Sequence, residues 1–130
     1  MGYLGTAQEI YAAFGRGDVA TILGHLAPDV RWEDGAPDHG IPWLRPGVGK
    51  EFVLGFFGLV SQWKMERFEF QALTEAGDTV IGLLSVKANA GHGSFDNLEV
   101  HVWRFNAQGQ VQSFNHIVDT LQHLRAAGLA

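Results

Sequence analysis

LEVHVWRFNAQGQVQSFNHIVDT, residues 98–120, sets two alternating runs on either side of a polar turn. Strand side chains point to opposite faces in turn. Glu99, His101, Trp103 and Phe105 therefore share one face, and Leu98, Val100, Val102 and Arg104 take the other. NAQGQ, residues 106–110, is a hairpin turn, and VQSFNHIVD, residues 111–119, is the returning strand. It sets Phe114, His116 and Val118 against Ser113, Asn115, Ile117 and Asp119. Two histidines thus stand among aromatic residues on strands that pair.

Period two continues upstream. VIGLLSVKANA (80–90) and MERFEFQALTE (65–75) read as strands joined by the turn AGDT (76–79), and GHGSFDN (91–97) is a connection. Before Lys64 the spacing is helical. GKEFVLGFFGLVSQW (49–63) repeats Phe52, Phe56, Leu59, Val60 and Trp63 at intervals of three and four. Residues 35–49 hold Gly, Pro, Asp and His and read as loop, and DVRWED (29–34) as a short strand with Val30 and Trp32 on one face. GDVATILGHLA (17–27) is a short helix with Asp18 as N-cap and Pro28 beyond its end. The first helix carries Ile10, Tyr11, Ala13 and Phe14, with Thr6 as N-cap and Glu9 as its capping-box partner. Helix, helix, strand, helix and four strands make an α+β domain with helices on one face of a curved antiparallel sheet.

The 130 residues form a single domain, 46% hydrophobic and 18% charged, which is a globular balance. A net charge of −5 argues against nucleic acid as a partner. The absence of cysteine excludes disulfides, thiol catalysis and zinc–thiolate sites. No segment reaches the length of a membrane span, MGYLGTAQEIYAAF lacks the pattern of a signal peptide, and a cytoplasmic protein is expected.

TAQEIYAAFGRGDVATILGHLAPDVRWEDG (6–35), GVGKEFVLGFFGLV (47–60) and residues 98–120 together resemble the nuclear transport factor 2-like superfamily. Its members include ketosteroid isomerase, limonene epoxide hydrolase and the SnoaL-like polyketide cyclases. The resemblance covers nearly the whole chain. It implies a cone-shaped curved antiparallel sheet packed on N-terminal helices, a cystatin-like α+β barrel. It also implies roles. Asp34, in WEDG, falls where the isomerases carry a general-base aspartate. His101 falls where they carry an acid that donates to the enolate oxygen. His116 matches a catalytic aspartate of the epoxide hydrolase. The isomerase tyrosines match Ile10 and Phe57; Tyr11 adjoins the first but points about 100° away on a helix. GLLSVKANA (82–90) lacks the Arg and Asp of epoxide hydrolysis at pocket depth.

Each residue also has a plainer reading. Asp34 can be a solvated strand end, His101 a core histidine bonded to Glu99 or His116, and His116 a residue that only shapes the cavity. Asp119 can cap, bond backbone amides or meet a second subunit. Trp32, Phe56, Trp103, Phe114 and Val118 are expected to line the pocket, with His39 and Trp43 from APDHGIPW (36–43) at its mouth. They suit a small apolar, cyclic molecule. Of the six histidines only His101 and His116 converge, so no metal is expected, and nothing implies a cofactor. The functional expectation is an acid–base enzyme acting beside a carbonyl, with Asp34, His101 and His116 as catalytic residues. The alternatives are a carrier or a dimerisation module of the same fold. A homodimer is expected through the face that bears Leu98, Val100 and Val102, since a sheet apolar on both faces needs two partners.

Overall fold

From Lys64 onward the chain forms the sheet that its alternation predicts, and the helices cover one face of it. The computed structural model describes residues 2–130. In order it contains α1 (Tyr3–Gly15), α2 (Val19–Gly24), β1 (Leu26–Trp32), a 3-10 turn (Pro42–Leu44) and β2 (Gly47–Val48). Then come α3 (Lys50–Val60), β3 (Lys64–Ala76), β4 (Thr79–Asn89), β5 (Ser94–Phe105), β6 (Val111–Ile117) and α4 (Thr120–Ala126).

The six strands run in the order β2-β1-β6-β5-β4-β3. The sheet is mixed rather than wholly antiparallel, because β1 pairs parallel to β6. Register shifts interrupt the β3–β4, β5–β6 and β1–β6 ladders. Such bulges bend a strand and raise its twist, which turns a flat sheet into a curved one. α1 packs against β3 and β4, and α3 against β1. Ile10, Ala13, Val53 and Phe57 of these helices share a core with Trp103, Phe105 and Phe114 of the sheet.

Several boundaries depart from the sequence reading. Gly2, not Thr6, precedes the first helical residue, and Thr6 lies buried in the second turn. Glu9 pairs with His25 at 2.7 Å instead of closing a capping box. The second helix stops at Gly24, because Leu26 is drawn into the ladder opposite Val111. Pro28 therefore lies inside β1, within the register shift between Leu26 and Arg31, where its missing N–H breaks no pairing. β5 begins at Ser94, which adds Phe95 and Asn97 to the buried row of Glu99, His101, Trp103 and Phe105.

The main omission is α4. The last strand ends at Ile117, and Asp119 becomes the N-cap of a helix by accepting from the Gln122 amide. α4 packs on β5 and buries His123 and Ala126. Asp119→Ala should lower stability, because it removes the side-chain acceptor of this cap. Urea unfolding of the two proteins would measure it.

Candidate active site

A chain of hydrogen bonds runs along the inner face of β5, and the Glu99 carboxylate at its end, which can only accept, sets its direction. Trp103 Nε1–H can only donate, and it does so to Tyr11 Oη at 2.9 Å. Tyr11 turns its own proton to His101 Nδ1, 2.7 Å away. Nδ1 is then the unprotonated nitrogen of that ring, and Nε2–H donates to Glu99 Oε1 at 3.1 Å. Glu99 also accepts from Asn97 Nδ2 at 3.1 Å. Trp43 Nε1–H donates to His123 Nδ1 at 2.9 Å, which leaves the proton on His123 Nε2, 3.4 Å from Glu99 Oε2. That last contact is close enough to favour charge on Glu99 but is not aligned as a hydrogen bond.

Electrostatics follow this wiring. Burial raises the Glu99 pKa, yet the contacts from His101 and His123 and the charge on His116 outweigh it and hold the carboxyl well below its usual range. Burial pushes His101 below the ordinary imidazole value, against the pull of Glu99, and the His116 charge adds to the effect. Burial pushes the Tyr11 hydroxyl well above its ordinary value. Tyr11 and His101 are therefore neutral relays of one chain.

His116 is different. Glu33 Oε1 accepts from the His116 backbone amide at 2.9 Å, and Glu33 Oε2 meets His116 Nδ1 at 2.5 Å. Burial opposes charge on His116, but the Glu33 carboxylate and its hydrogen bond overcome this, and the pKa lies above the ordinary imidazole value. His116 Nε2 makes no hydrogen bond to any described residue. The side chain is 12% exposed and lines a cavity of about 60 Å³ whose wall is otherwise largely aromatic.

The placement of Glu33 has a local cause. It is the one non-glycine with positive φ, 54°, among the described residues. A regular strand would turn Glu33 away from the side of Trp32. The left-handed residue breaks the alternation, so Trp32 and Glu33 are both buried and Asp34 is exposed. The expectation for Asp34 is corrected accordingly: its side chain lies outside the cavity wall, and only its carbonyl takes part nearby, accepting from Asn115 Nδ2 at 3.0 Å.

The cavity wall includes His101, His116, Trp32, Phe56, Trp103, Phe114 and Trp43. His39 is exposed and does not line it, and Val118 does not because β6 ends one residue earlier. His101 lines the cavity, but both its nitrogens are engaged, so it has no free donor for a substrate oxygen. Tyr11 does reach the cavity beside Ile10, since a concave sheet lets a wide arc of α1 face it. Sequence reasoning missed Glu33 and His123 as site residues and took Glu99 only as a possible partner of His101. Glu99 was visible in the β5 row; Glu33 and His123 depended on a single dihedral and an unforeseen helix.

Glu99, His101 and His116 each bring one potential ligand atom within 4.8 Å of the others, so a carboxylate does join the two histidines. Without an ion these atoms are engaged with each other instead. His101 Nε2 carries the proton it gives to Glu99, and freeing it would reverse the chain and leave the Tyr11 O–H without an acceptor.

A model of the SnoaL-like domain matches residues 7–114. The chain belongs to the SnoaL-like domain family. Solved structures agree with this SnoaL-like assignment. An NTF2-like protein of unknown function from Burkholderia pseudomallei is 30% identical over 98% of each chain, with a TM-score of 0.82. An NTF2-like protein from Burkholderia thailandensis is 30% identical over 97% of each chain, with a TM-score of 0.80. A steroid delta-isomerase from Pseudomonas aeruginosa is 21% identical, matching 97% of this SnoaL-like chain and 85% of its own, with a TM-score of 0.70, and shares the fold. A search of curated proteins finds no match.

Tyr11→Phe removes the middle of the chain and leaves Trp103 Nε1–H and His101 Nδ1 without partners. The expected loss is roughly 1–3 kcal/mol, the cost of a buried unsatisfied group. Chemical denaturation would detect it even if no substrate were known.

Proposed function

We propose that this chain is a small-molecule enzyme that moves a proton at the carbon next to a carbonyl of an apolar, cyclic substrate. The observation that carries this reading is His116, oriented at Nδ1 by Glu33 and unengaged at Nε2, in an aromatic cavity. Nε2 takes the α-proton. The C–H electrons form the enolate, and negative charge moves to oxygen. The imidazolium, stabilised by Glu33, returns the proton to the same or a neighbouring carbon. Exclusion of water by Trp32, Phe56 and Phe114 strengthens these interactions. The fold shared with a steroid delta-isomerase supports the reaction class.

Deuterium uptake from solvent into 4-phenylcyclohexanone, followed by NMR, tests it. His116→Gln should slow exchange by roughly 10²–10⁴-fold, the range for one general base. Asp34→Asn should leave it unchanged. Only neutral His116 accepts a proton, so the rate should rise with pH, with a midpoint above the ordinary value of 6.5. Glu33→Gln should move that midpoint down, because it removes the charge that favours the imidazolium. Equal exchange with and without His116 would leave a binding module of the same fold.

The protein is also proposed to be a homodimer. Leu98 and Ile117 are each 58% exposed on the outer face of β5 and β6, and Ile81 of β4, opposite Val102, is exposed on the same face. A second copy would cover them. Sedimentation equilibrium should give a dimer for the wild type and a monomer for Leu98→Glu.

A further inference from the structure

His101 of β5 and His116 of β6 are partners across the ladder, and both line the inner cavity. Their rings stand 4.8 Å apart, centre to centre, at 83° to each other. Glu99 precedes His101 by two residues and so shares its face of β5. Glu99 and His101 are each only 4% exposed. Two imidazoles and one carboxylate are a donor set of catalytic zinc sites. Tetrahedral zinc, with bonds of about 2.0–2.1 Å, sets its ligand atoms roughly 3.3–3.5 Å apart. Glu99 Oε1 and His101 Nε2 are 3.1 Å apart, already near that spacing. One atom of each of the three residues lies within 4.8 Å of the others, so the His116 ring has to approach by no more than about 1.5 Å.

The groups behind these atoms also fit an ion. A metal-bound histidine holds the proton of its other nitrogen on an acceptor, which fixes the ring. His116 Nδ1 has Glu33 Oε2 at 2.5 Å, and His101 Nδ1 has Tyr11 Oη at 2.7 Å. The second oxygen of Glu99 accepts from Asn97 Nδ2 at 3.1 Å. Coordination at His101 Nε2 moves that ring's proton to Nδ1, which then donates to Tyr11 Oη. The Tyr11 proton, left without an acceptor among the protein groups, turns into the cavity that Tyr11 lines, where water accepts it. The cavity of about 60 Å³ has room for an ion with one or two waters, each of which takes about 30 Å³ in the liquid.

Charge supplies an independent argument. Glu99 from β5, and Glu33 from the end of β1 behind His116, bring two carboxylates to this place, and His116 brings one positive ring. Burial keeps His101 neutral and the Tyr11 hydroxyl of α1 protonated. His123 of α4 accepts at Nδ1 from Trp43, as only an uncharged ring can. Among the described residues no lysine or arginine lines the cavity. One negative charge is therefore left without a partner in an apolar surround, which is costly. A divalent ion that displaces the His116 proton sets two positive charges against two carboxylates and leaves the site neutral.

We propose that Glu99, His101 Nε2 and His116 Nε2 form a binding site for one divalent transition-metal ion of the zinc class, with water completing its coordination. Imidazole ligands favour such an ion over magnesium and calcium, which take oxygen ligands. The ion occupies the nitrogen that proton transfer would use. In any one molecule the site therefore holds a metal or acts as a base, and zinc inhibits His116-dependent exchange. The site itself does not rest on the proton-transfer reading.

The test is equilibrium dialysis of the EDTA-treated protein against Zn²⁺, with Co²⁺ as a coloured substitute and Mg²⁺ as the contrast. Expected are one Zn²⁺ per chain with micromolar or tighter affinity, visible absorption of four-coordinate Co²⁺, and no bound Mg²⁺. His116→Gln and Glu99→Gln should each weaken Zn²⁺ binding by at least ~100-fold, beyond the 10–100-fold typical of a partner that only orients a ligand. The triple variant His25→Gln, His39→Gln, His92→Gln removes every histidine outside the cavity wall and should bind like the wild type. Affinity should fall about tenfold per pH unit below the His116 midpoint, since one proton is displaced for each ion bound. In the unmutated chain, Zn²⁺ should move the imidazole NMR signals of His101 and His116 and leave those of His25, His39 and His92 in place, so the outcome does not depend on a variant folding. No bound zinc at micromolar concentration, loss of binding in the triple variant, unmoved His101 and His116 signals, or undiminished binding by His116→Gln would overturn the site. Zinc bound as expected, with no His116-dependent deuterium exchange in the metal-free protein, would sink only the proton-transfer reading. Exchange without zinc binding would sink only the metal site.

Discussion

The double attachment of Glu33 to His116 organises the site. One carboxylate oxygen holds the backbone amide of His116 and the other holds its ring. The end of β1 is thereby tied to β6, beyond the last ladder pair, Trp32 with Phe114. The bond requires Glu33 to adopt a left-handed backbone, which costs a non-glycine residue roughly 1–3 kcal/mol. A charge-assisted pair, buried on both sides, offsets that strain and fixes which imidazole nitrogen faces the cavity.

The chain from Trp103 through Tyr11 and His101 to Glu99 does a different job. It crosses from the sheet to α1 and back, so it anchors a helix as well as a carboxylate. Each group in it is buried, and each would be costly alone. Linked in one direction, they leave no ambiguity of tautomer and no free donor. A buried negative charge on Glu99 then sits near a positive one on His116, and the two raise each other's tendency to ionise. The polar wall is hydrogen-bonded along β5 and leaves His116 Nε2 unengaged.

Curvature makes room for this arrangement. Bulges in three ladders curve the sheet, and aromatic rings fill most of the space between it and the helices. What remains is an inner cavity and a wider hollow whose walls share Trp32, Trp43 and Phe56. α4 seals the far side: His123 stacks on Phe95 with ring centres 4.0 Å apart while its Nδ1 holds Trp43 in place.

The sequence by itself determined the α+β class, the strand alternation and the inward row of β5, because period two forces Glu99, His101, Trp103 and Phe105 to one side wherever the sheet lies. The same rule put Phe114 and His116 together. It failed at residues 33 and 34, where one positive dihedral reverses the parity and exchanges Asp34 for Glu33 as the buried acid. It failed again after Ile117, where Asp119 caps a helix and withdraws Val118 from the wall. Tertiary structure alone decided that β1 runs parallel to β6, that Tyr11 turns toward His101, and that His101 is spent on relaying a hydrogen bond. Those outcomes depend on which donors meet which acceptors once distant segments pack, and that information is not local to any stretch of the chain.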